Sequence, residues 1–265
     1  MSFLDTERRL KVGIVTYLIA KDWDVDTIIK NCTEAGMEGV ELRTTHAHKV
    51  EVDLSAAQRA EVKKKFQDSL VALASLGSAF DFHSLDPDEV KRNIEGTKEY
   101  AKLAADVGAE GIKVRPNGLQ PEANIPAEQT LEQIGVSIRE CGEFAKDYGI
   151  EVRVEVHGRE THRVPNMKKI MDYADSDNVF VCWNSGATDL EDGGLESNFN
   201  LVKDKIHFVH MRDLFDEEYP LRRLMELLLD SGYRGYCCAE IPDSPDPIRV
   251  MKYFRALFFA YQNLL

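Results

Sequence analysis

Four short stretches of this chain end in side chains that bind metal ions or move protons. The run EVRVEVHG, residues 151–158, alternates strictly, so Val152, Val154 and Val156 share one face while Arg153, Glu155 and His157 share the other. VCWNSG ends in an amide, Asn184; HFVHMRD carries His210; CCAEIP carries Glu240. Glu155, His210 and Glu240 form a mixed carboxylate and imidazole set suited to one divalent cation: Mn, Co, Zn or Fe, or Mg with additional water. Asn184 could add a neutral oxygen. A competing reading is a hydrogen-bonded polar layer in which Glu155 and Glu240 each pair with an arginine such as Arg153 or Arg115. A second group of residues is suited to holding a substrate: Arg43, His83, Lys113, Arg115, His157 and Arg212. Arginine recognises anions through two parallel hydrogen bonds, which points to a sugar acid or phosphate. Each of these cations can equally pair with Glu41, Glu155 or Asp213.

These residues fall at the ends of predicted strands. The expected strands are KVGIVTYL (11–18), GVELR (39–43), SAFDFH (78–83), GIKVR (111–115), EVRVEVHG (151–158), NVFVCW (178–183), KIHFVHM (205–211) and GYCCAEI (235–241). Helices are expected between them, including one from Ser55 to Gly77, one capped by Asp86 with Pro87 in its first turn, and a final one from about Asp246 to Leu264. Gly36, Gly77, Gly108, Gly149 and Gly232 each read as a helix stop shortly before an apolar strand. Strands that alternate with helices imply crossover connections and a parallel sheet. Eight such units in 265 residues fit an α/β fold of the closed (β/α)8 type, a TIM barrel spanning 1–265 as a single domain. In that architecture the C-terminal strand ends share one mouth, where Glu41, Arg43, His83, Lys113, Arg115, Glu155, His157, Asn184, His210 and Glu240 would meet. Most of the seven histidines lie at or just past a strand end. His46 and His48 fall on a long loop and read as exposed, with a lid over the substrate as the alternative. Trp23 and Trp183 are large enough to stack on a sugar ring; Trp183, next to Asn184, should face the helices instead.

The formal net charge of -13 argues against non-specific nucleic-acid binding, which needs a basic footprint. MSFLDTERRL lacks a signal-peptide pattern, and no apolar run reaches membrane-spanning length, so no membrane partner and a cytoplasmic location are expected. The five cysteines are odd in number and lack CxxC spacing, which suggests neither a disulfide framework nor a cysteine zinc site. The last helix, with Phe254, Leu257, Phe258 and Phe259, packs on the barrel by default, and a homo-oligomer is the alternative.

The order of strand-end residues, with the local signatures VEVHG, FVHMRD and AEIP, resembles the xylose isomerase-like TIM-barrel superfamily, the sugar phosphate isomerase/epimerase group. The resemblance covers nearly the whole chain. It implies one divalent metal (Mn, Co, Zn or Mg) held by Glu155, Asn184, His210 and Glu240, with Glu155 and Glu240 as an acid/base pair on opposite faces of a small-molecule substrate. The implied reaction is isomerisation or epimerisation of a small sugar or sugar acid through an enediolate; a dehydratase begins with the same proton abstraction. The sequence departs from the family at the sixth strand. Family members often carry Asp followed three residues later by His, whereas this chain has Asn184 and Ala187. Asn184 removes one negative charge, so metal would bind weakly or not at all. His157 is the candidate replacement for the missing substrate-contacting His, or else a group that orients Glu155 or His210. A metal-free, non-catalytic carbohydrate-binding barrel is therefore a second reading. An endonuclease IV-like activity is a third, disfavoured by the overall acidity and the absent pair.

Overall fold

The computed structural model describes residues 9–264; Met1–Arg8, most of the segment examined for a leader, and Leu265 lie outside them. Eight strands run in chain order: β1 (Lys11–Val15), β2 (Gly39–Arg43), β3 (Ala72–Gly77), β4 (Gly111–Val114), β5 (Glu151–Glu155), β6 (Val179–Asn184), β7 (Ile206–Met211) and β8 (Tyr236–Ala239). Every neighbouring pair is parallel, and β8 pairs back onto β1, which closes the barrel. Eight helices follow them: α1 (Val25–Ala35), α2 (Ala56–Gln67), α3 (Pro87–Val107), α4 (Ala127–Lys146), α5 (Val164–Ala174), α6 (Leu195–Val202), α7 (Leu221–Asp230) and α8 (Pro247–Tyr261). The expected (β/α)8 fold is the observed one. Among the described residues no helix is long and apolar enough to cross a membrane.

The alternation predicted for residues 151–157 is realised. Val152, Val154 and Val156 are buried in the layer between barrel and helices, within the large core cluster. Arg153 and Glu155 point into the barrel. There Val15, Ala74, Cys182, Phe208, Tyr236 and Cys238 form a separate buried cluster that plugs the barrel beneath its C-terminal mouth. The Arg153 guanidinium lies 4.9 Å from the centre of the Phe208 ring and pairs with Glu151 at 2.8 Å. Arg153 therefore belongs to the lower part of the barrel and is not the partner of Glu155. All five cysteines are buried and unpaired: Cys32 on α1, Cys141 on α4, and Cys182, Cys237 and Cys238 on barrel strands.

The third strand lies one segment earlier than expected. It is ALASLG, not SAFDFH, and α2 stops at Gln67 rather than Gly77. The run VALASLG is apolar but for Ser75, and such a run cannot be told from a buried helical segment by periodicity. Gly77 is accordingly the last residue of β3 and not a helix cap. Its missing side chain is required there, because a Cβ at this position would lie 2.6 Å from Glu41 Oε1. Gly36 and Gly108 do end helices in the left-handed conformation, with φ of 73° and 81°. Asp86 caps α3, accepting from the Asp88 amide at 2.9 Å, with Pro87 in the first turn as expected. The inner face of α8 buries Phe254, Phe258 and Phe259 against the barrel.

Candidate active site

The barrel mouth holds a tier of charged side chains directly above the apolar plug. Glu41 from β2, Lys113 from β4, Glu155 from β5 and His210 from β7 are all buried, and Glu240, one residue past β8, is partly exposed. A closed barrel brings these positions together because each lies on the inward face at or just past the C-terminal end of its strand. Glu155 lies beside Cys182 in the β5–β6 register, and Asn184 beside His210 in β6–β7.

Glu155 is the hub. Its Oε2 accepts from Lys113 Nζ at 2.8 Å. Its Oε1 lies 3.3 Å from His210 Nδ1 and accepts from Asn184 Nδ2 at 3.2 Å. On the other side of the imidazole, His210 Nε2 lies 3.2 Å from Glu41 Oε1, and Glu41 Oε2 is buried without a partner. Glu240 Oε2 is 4.0 Å from His210 Nδ1. One donor atom from each of Glu155, His210 and Glu240 lies within 4.8 Å of the others, a spacing that a single divalent cation can draw together. Burial alone would raise Glu155, but the Lys113 ammonium and His210 hold its carboxyl well below the usual range. Burial raises Glu240 against the opposing pull of His210.

The donor set fits a metal in one further respect. Lys113 engages Oε2 and leaves Oε1 facing His210 and Asn184. The amide of Asn184 turns its nitrogen to Glu155; rotated about its last bond, it would present its oxygen.

The open side of this tier is a cavity of about 430 Å³. Its wall includes Arg43, Lys113, Arg115, Glu155, His157, Asn184 and Glu240, so the structure brings these seven residues to one cavity. Lys113 contributes mainly as the counter-ion of Glu155. Among the described residues His157 makes no hydrogen bond to Glu155 or His210; its Nδ1 lies 2.9 Å from Asn117 Oδ1.

Two expected substrate residues lie elsewhere. His83 belongs to the loop after β3, because the strand ends six residues earlier; it sits 3.3 Å from Asp81 and does not line the cavity. Arg212 turns outward to Asp216 at 3.2 Å and lies over the Tyr219 ring at 5.7 Å. Alternation would put Arg212 on the inward face it shares with His210, but it lies one residue past β7, and there its side chain pairs with Asp216 instead of lining the cavity.

Sequence reading also missed contributors. Asn117 orients His157 from the turn after β4, where Pro116-Asn117-Gly118 marked a loop without naming a contact. Tyr17 lines the mouth from the segment after β1. His48 is buried rather than exposed: its ring nitrogens meet the Arg43 carbonyl at 2.8 Å and the Val50 amide at 3.0 Å. It ties its loop to the end of β2. Trp183 faces the helices as expected, 5.9 Å from the Phe199 ring centre, and Trp23 packs against the core.

A family model described as a xylose isomerase-like TIM barrel matches residues 29–257. Fructoselysine 3-epimerase of Escherichia coli O157:H7 is 22% identical over 240 residues, which cover 82% of this chain and 85% of that protein. Among solved structures, apo 3-keto-D-glucoside 4-epimerase from E. coli superposes with a TM-score of 0.79 at 16% identity, covering 95% of this chain and 100% of the other. The IOLI protein, solved with a bound zinc atom, superposes with a TM-score of 0.77 at 16% identity, covering 95% of this chain and 99% of the other.

Proposed function

The chain belongs to the xylose isomerase-like TIM-barrel family, and on that premise we propose that it is a metal-assisted isomerase or epimerase acting on a small polyhydroxy carbonyl compound. The observation that carries this reading is the Glu155–His210–Glu240 donor cluster at the floor of a cavity sized for a small molecule. The relative from E. coli, a fructoselysine 3-epimerase, agrees with it. Glu155, His210 and Glu240, with the Asn184 oxygen, would hold one divalent cation; when bound, it supplies a positive centre that stabilises negative charge developing on a carbonyl oxygen.

The remaining work falls to the chain's own side chains. Glu240, beside the cavity and free of any ion pair shorter than 4.0 Å, is placed to accept a proton from the carbon next to the substrate carbonyl. Glu155, ionised at rest and held from behind by Lys113, is the opposing group. It takes up a proton from the Lys113 ammonium that donates to its Oε2 and delivers it to the other face, while Glu240 releases its proton to solvent and Lys113 regains one. Lys113 fixes the orientation of Glu155, and Glu41 fixes that of His210. Proton removal gives an enediolate, and the position of reprotonation decides between epimer and isomer. Loss of a neighbouring hydroxyl from the same intermediate would instead give a dehydratase. A metal-free binding barrel is the second reading, supported by Asn184 and Ala187.

The test is proton exchange. The purified protein, loaded with Mn or Zn, is incubated with keto-sugars in D2O and followed by NMR. Exchange at the carbon next to the carbonyl, lost in Glu240→Gln and Glu155→Gln, is the expected result. No exchange with any keto-sugar or keto-sugar acid, with metal bound, would overturn the catalytic reading.

A further inference from the structure

We infer that the substrate carries a fixed anionic group, a carboxylate or a phosphate, and that Arg43 and Arg115 receive it. The inference rests on the enzymatic reading for the carbonyl end of the molecule and adds the chemistry of the opposite end.

Both arginines line the cavity, from the ends of β2 and β4. Among the described residues neither lies within the 4.0 Å of a carboxylate oxygen that defines the ion pairs of this chain. Their hydrogen bonds go to neutral oxygens. Arg43 Nη1 donates to the Thr44 carbonyl at 2.9 Å and to Thr45 Oγ1 at 3.2 Å, and its guanidinium lies 6.0 Å from the centre of the Tyr17 ring. Arg115 Nη2 donates to the Ala79 carbonyl at 3.0 Å, while its Nε is buried with no partner at all. Asp81 is near Arg115 but is already engaged by Asn117 Nδ2 at 2.8 Å and by His83 at 3.3 Å. Each guanidinium is thus anchored through one terminal nitrogen; of the rest, Arg115 Nε is buried without a partner, and the others make no hydrogen bond to the described residues. A guanidinium that borders an open cavity and has no counter-ion is free to receive a carboxylate or phosphate through two parallel hydrogen bonds.

The third cation of the wall behaves differently, which makes the pair specific. Lys113 is neutralised by Glu155. Arg212, which the sequence offered as a fourth anion-binding group, is neutralised by Asp216 away from the cavity. Arg43 and Arg115 alone remain of the expected cationic set. The neutral amide at position 184 acts in the same direction, since a carboxylate there would repel an incoming anion.

Matched probes test this. D-Fructose, D-fructuronate and D-fructose 6-phosphate share a ketose carbonyl and differ in the remote group. Binding is measured by calorimetry at two salt concentrations on the metal-loaded protein, and proton exchange in D2O is followed on the same samples. The expected result is that at least one of the two anions binds roughly tenfold or more tightly than the neutral ketose, since hydrogen bonds to charged groups carry that margin. Which of the two prevails identifies the anion. Arg43→Gln and Arg115→Gln should each lower affinity for the anion about tenfold more than affinity for D-fructose, with Arg115→Lys recovering part of the loss and added salt weakening the anion selectively. Equal affinity for neutral and anionic probes, or arginine variants that weaken both equally, would overturn the inference. The outcome is separable from that of the catalytic reading: tight anion binding without exchange sustains the arginine pair and removes the enzyme, while exchange on D-fructose with no anion preference does the reverse.

Discussion

The Lys113 ammonium lies 2.8 Å from Glu155 Oε2, with both side chains almost fully buried. Neither group would be tolerated there alone, because an uncompensated buried charge is strongly destabilising. Lys113→Met should therefore cost about 3–5 kcal/mol of stability. Lys113→Met combined with Glu155→Gln should cost clearly less than the sum of the two single variants. Urea denaturation of all four proteins checks this, and additive losses would show that the pair is not coupled.

Replacing Glu240, the member of the carboxylate pair that has no buried counter-ion, should separate chemistry from folding. Glu240→Gln is expected to reduce exchange of the substrate proton by roughly 10²–10⁴-fold, the usual contribution of a placed acid or base. Because Glu240 is only partly buried and makes no close ion pair, its thermal midpoint should hardly move. Retained exchange in this variant would assign the base elsewhere.

Asn184 offers a gain-of-affinity test. Its amide nitrogen donates to Glu155 Oε1 at 3.2 Å. Asn184→Asp would set two carboxylates against each other in the metal-free protein and give a cation one more negative ligand. The variant should unfold at lower temperature without metal, bind Zn or Mn more tightly by calorimetry, and regain stability on loading. Unchanged metal affinity would remove Asn184 from the ligand set.

Stability should carry a signature from Asp189, outside the metal cluster. Burial pushes its carboxyl up to about 6 from an ordinary 3.8, although it accepts from Tyr219 at 2.6 Å and from the Gly186 amide at 3.0 Å; its Oδ1 has no partner. A carboxyl whose folded pKa is raised holds protons that the unfolded chain has released. Its contribution is complete below the unfolded value and is lost as pH rises through the folded one. Between about pH 4 and pH 7 this costs the native state about 2–3 kcal/mol. Asp189→Asn, which cannot ionise, should flatten the stability curve relative to the parent over that window; parallel curves would contradict the assignment.

The parts of this architecture legible in the sequence are those written locally. The alternation at 151–157 set Glu155 on the inner face before any contact was known, and the repeated strand–helix units implied the barrel. The β3 boundary was lost where local signals are ambiguous, since VALASLG suits a buried strand and a helix equally. His83 went with it. The partners of the strand-end residues were not legible because they are remote: Lys113 reaches Glu155 across 42 residues, and Glu41 reaches His210 across 169. Residue type announces that a cation or carboxylate needs a partner; only closure of the barrel decides which one it meets. Arg212 shows the limit most simply: alternation puts it on the face of His210, but past the end of β7 its guanidinium is taken by Asp216.

The five buried cysteines give the molecule a built-in record of its own opening. Thiol reagents attack the thiolate, and burial pushes the thiols of Cys32 and Cys141 up to about 12. A folded molecule should therefore be silent to such reagents, and labelling under native conditions should count excursions in which a site becomes exposed. Cys32 and Cys141 report on the helical shell, whereas Cys182, Cys237 and Cys238 report on the strands. The order in which these peptides gain mass would tell whether the shell detaches while the barrel stays closed, or whether both come apart in one event.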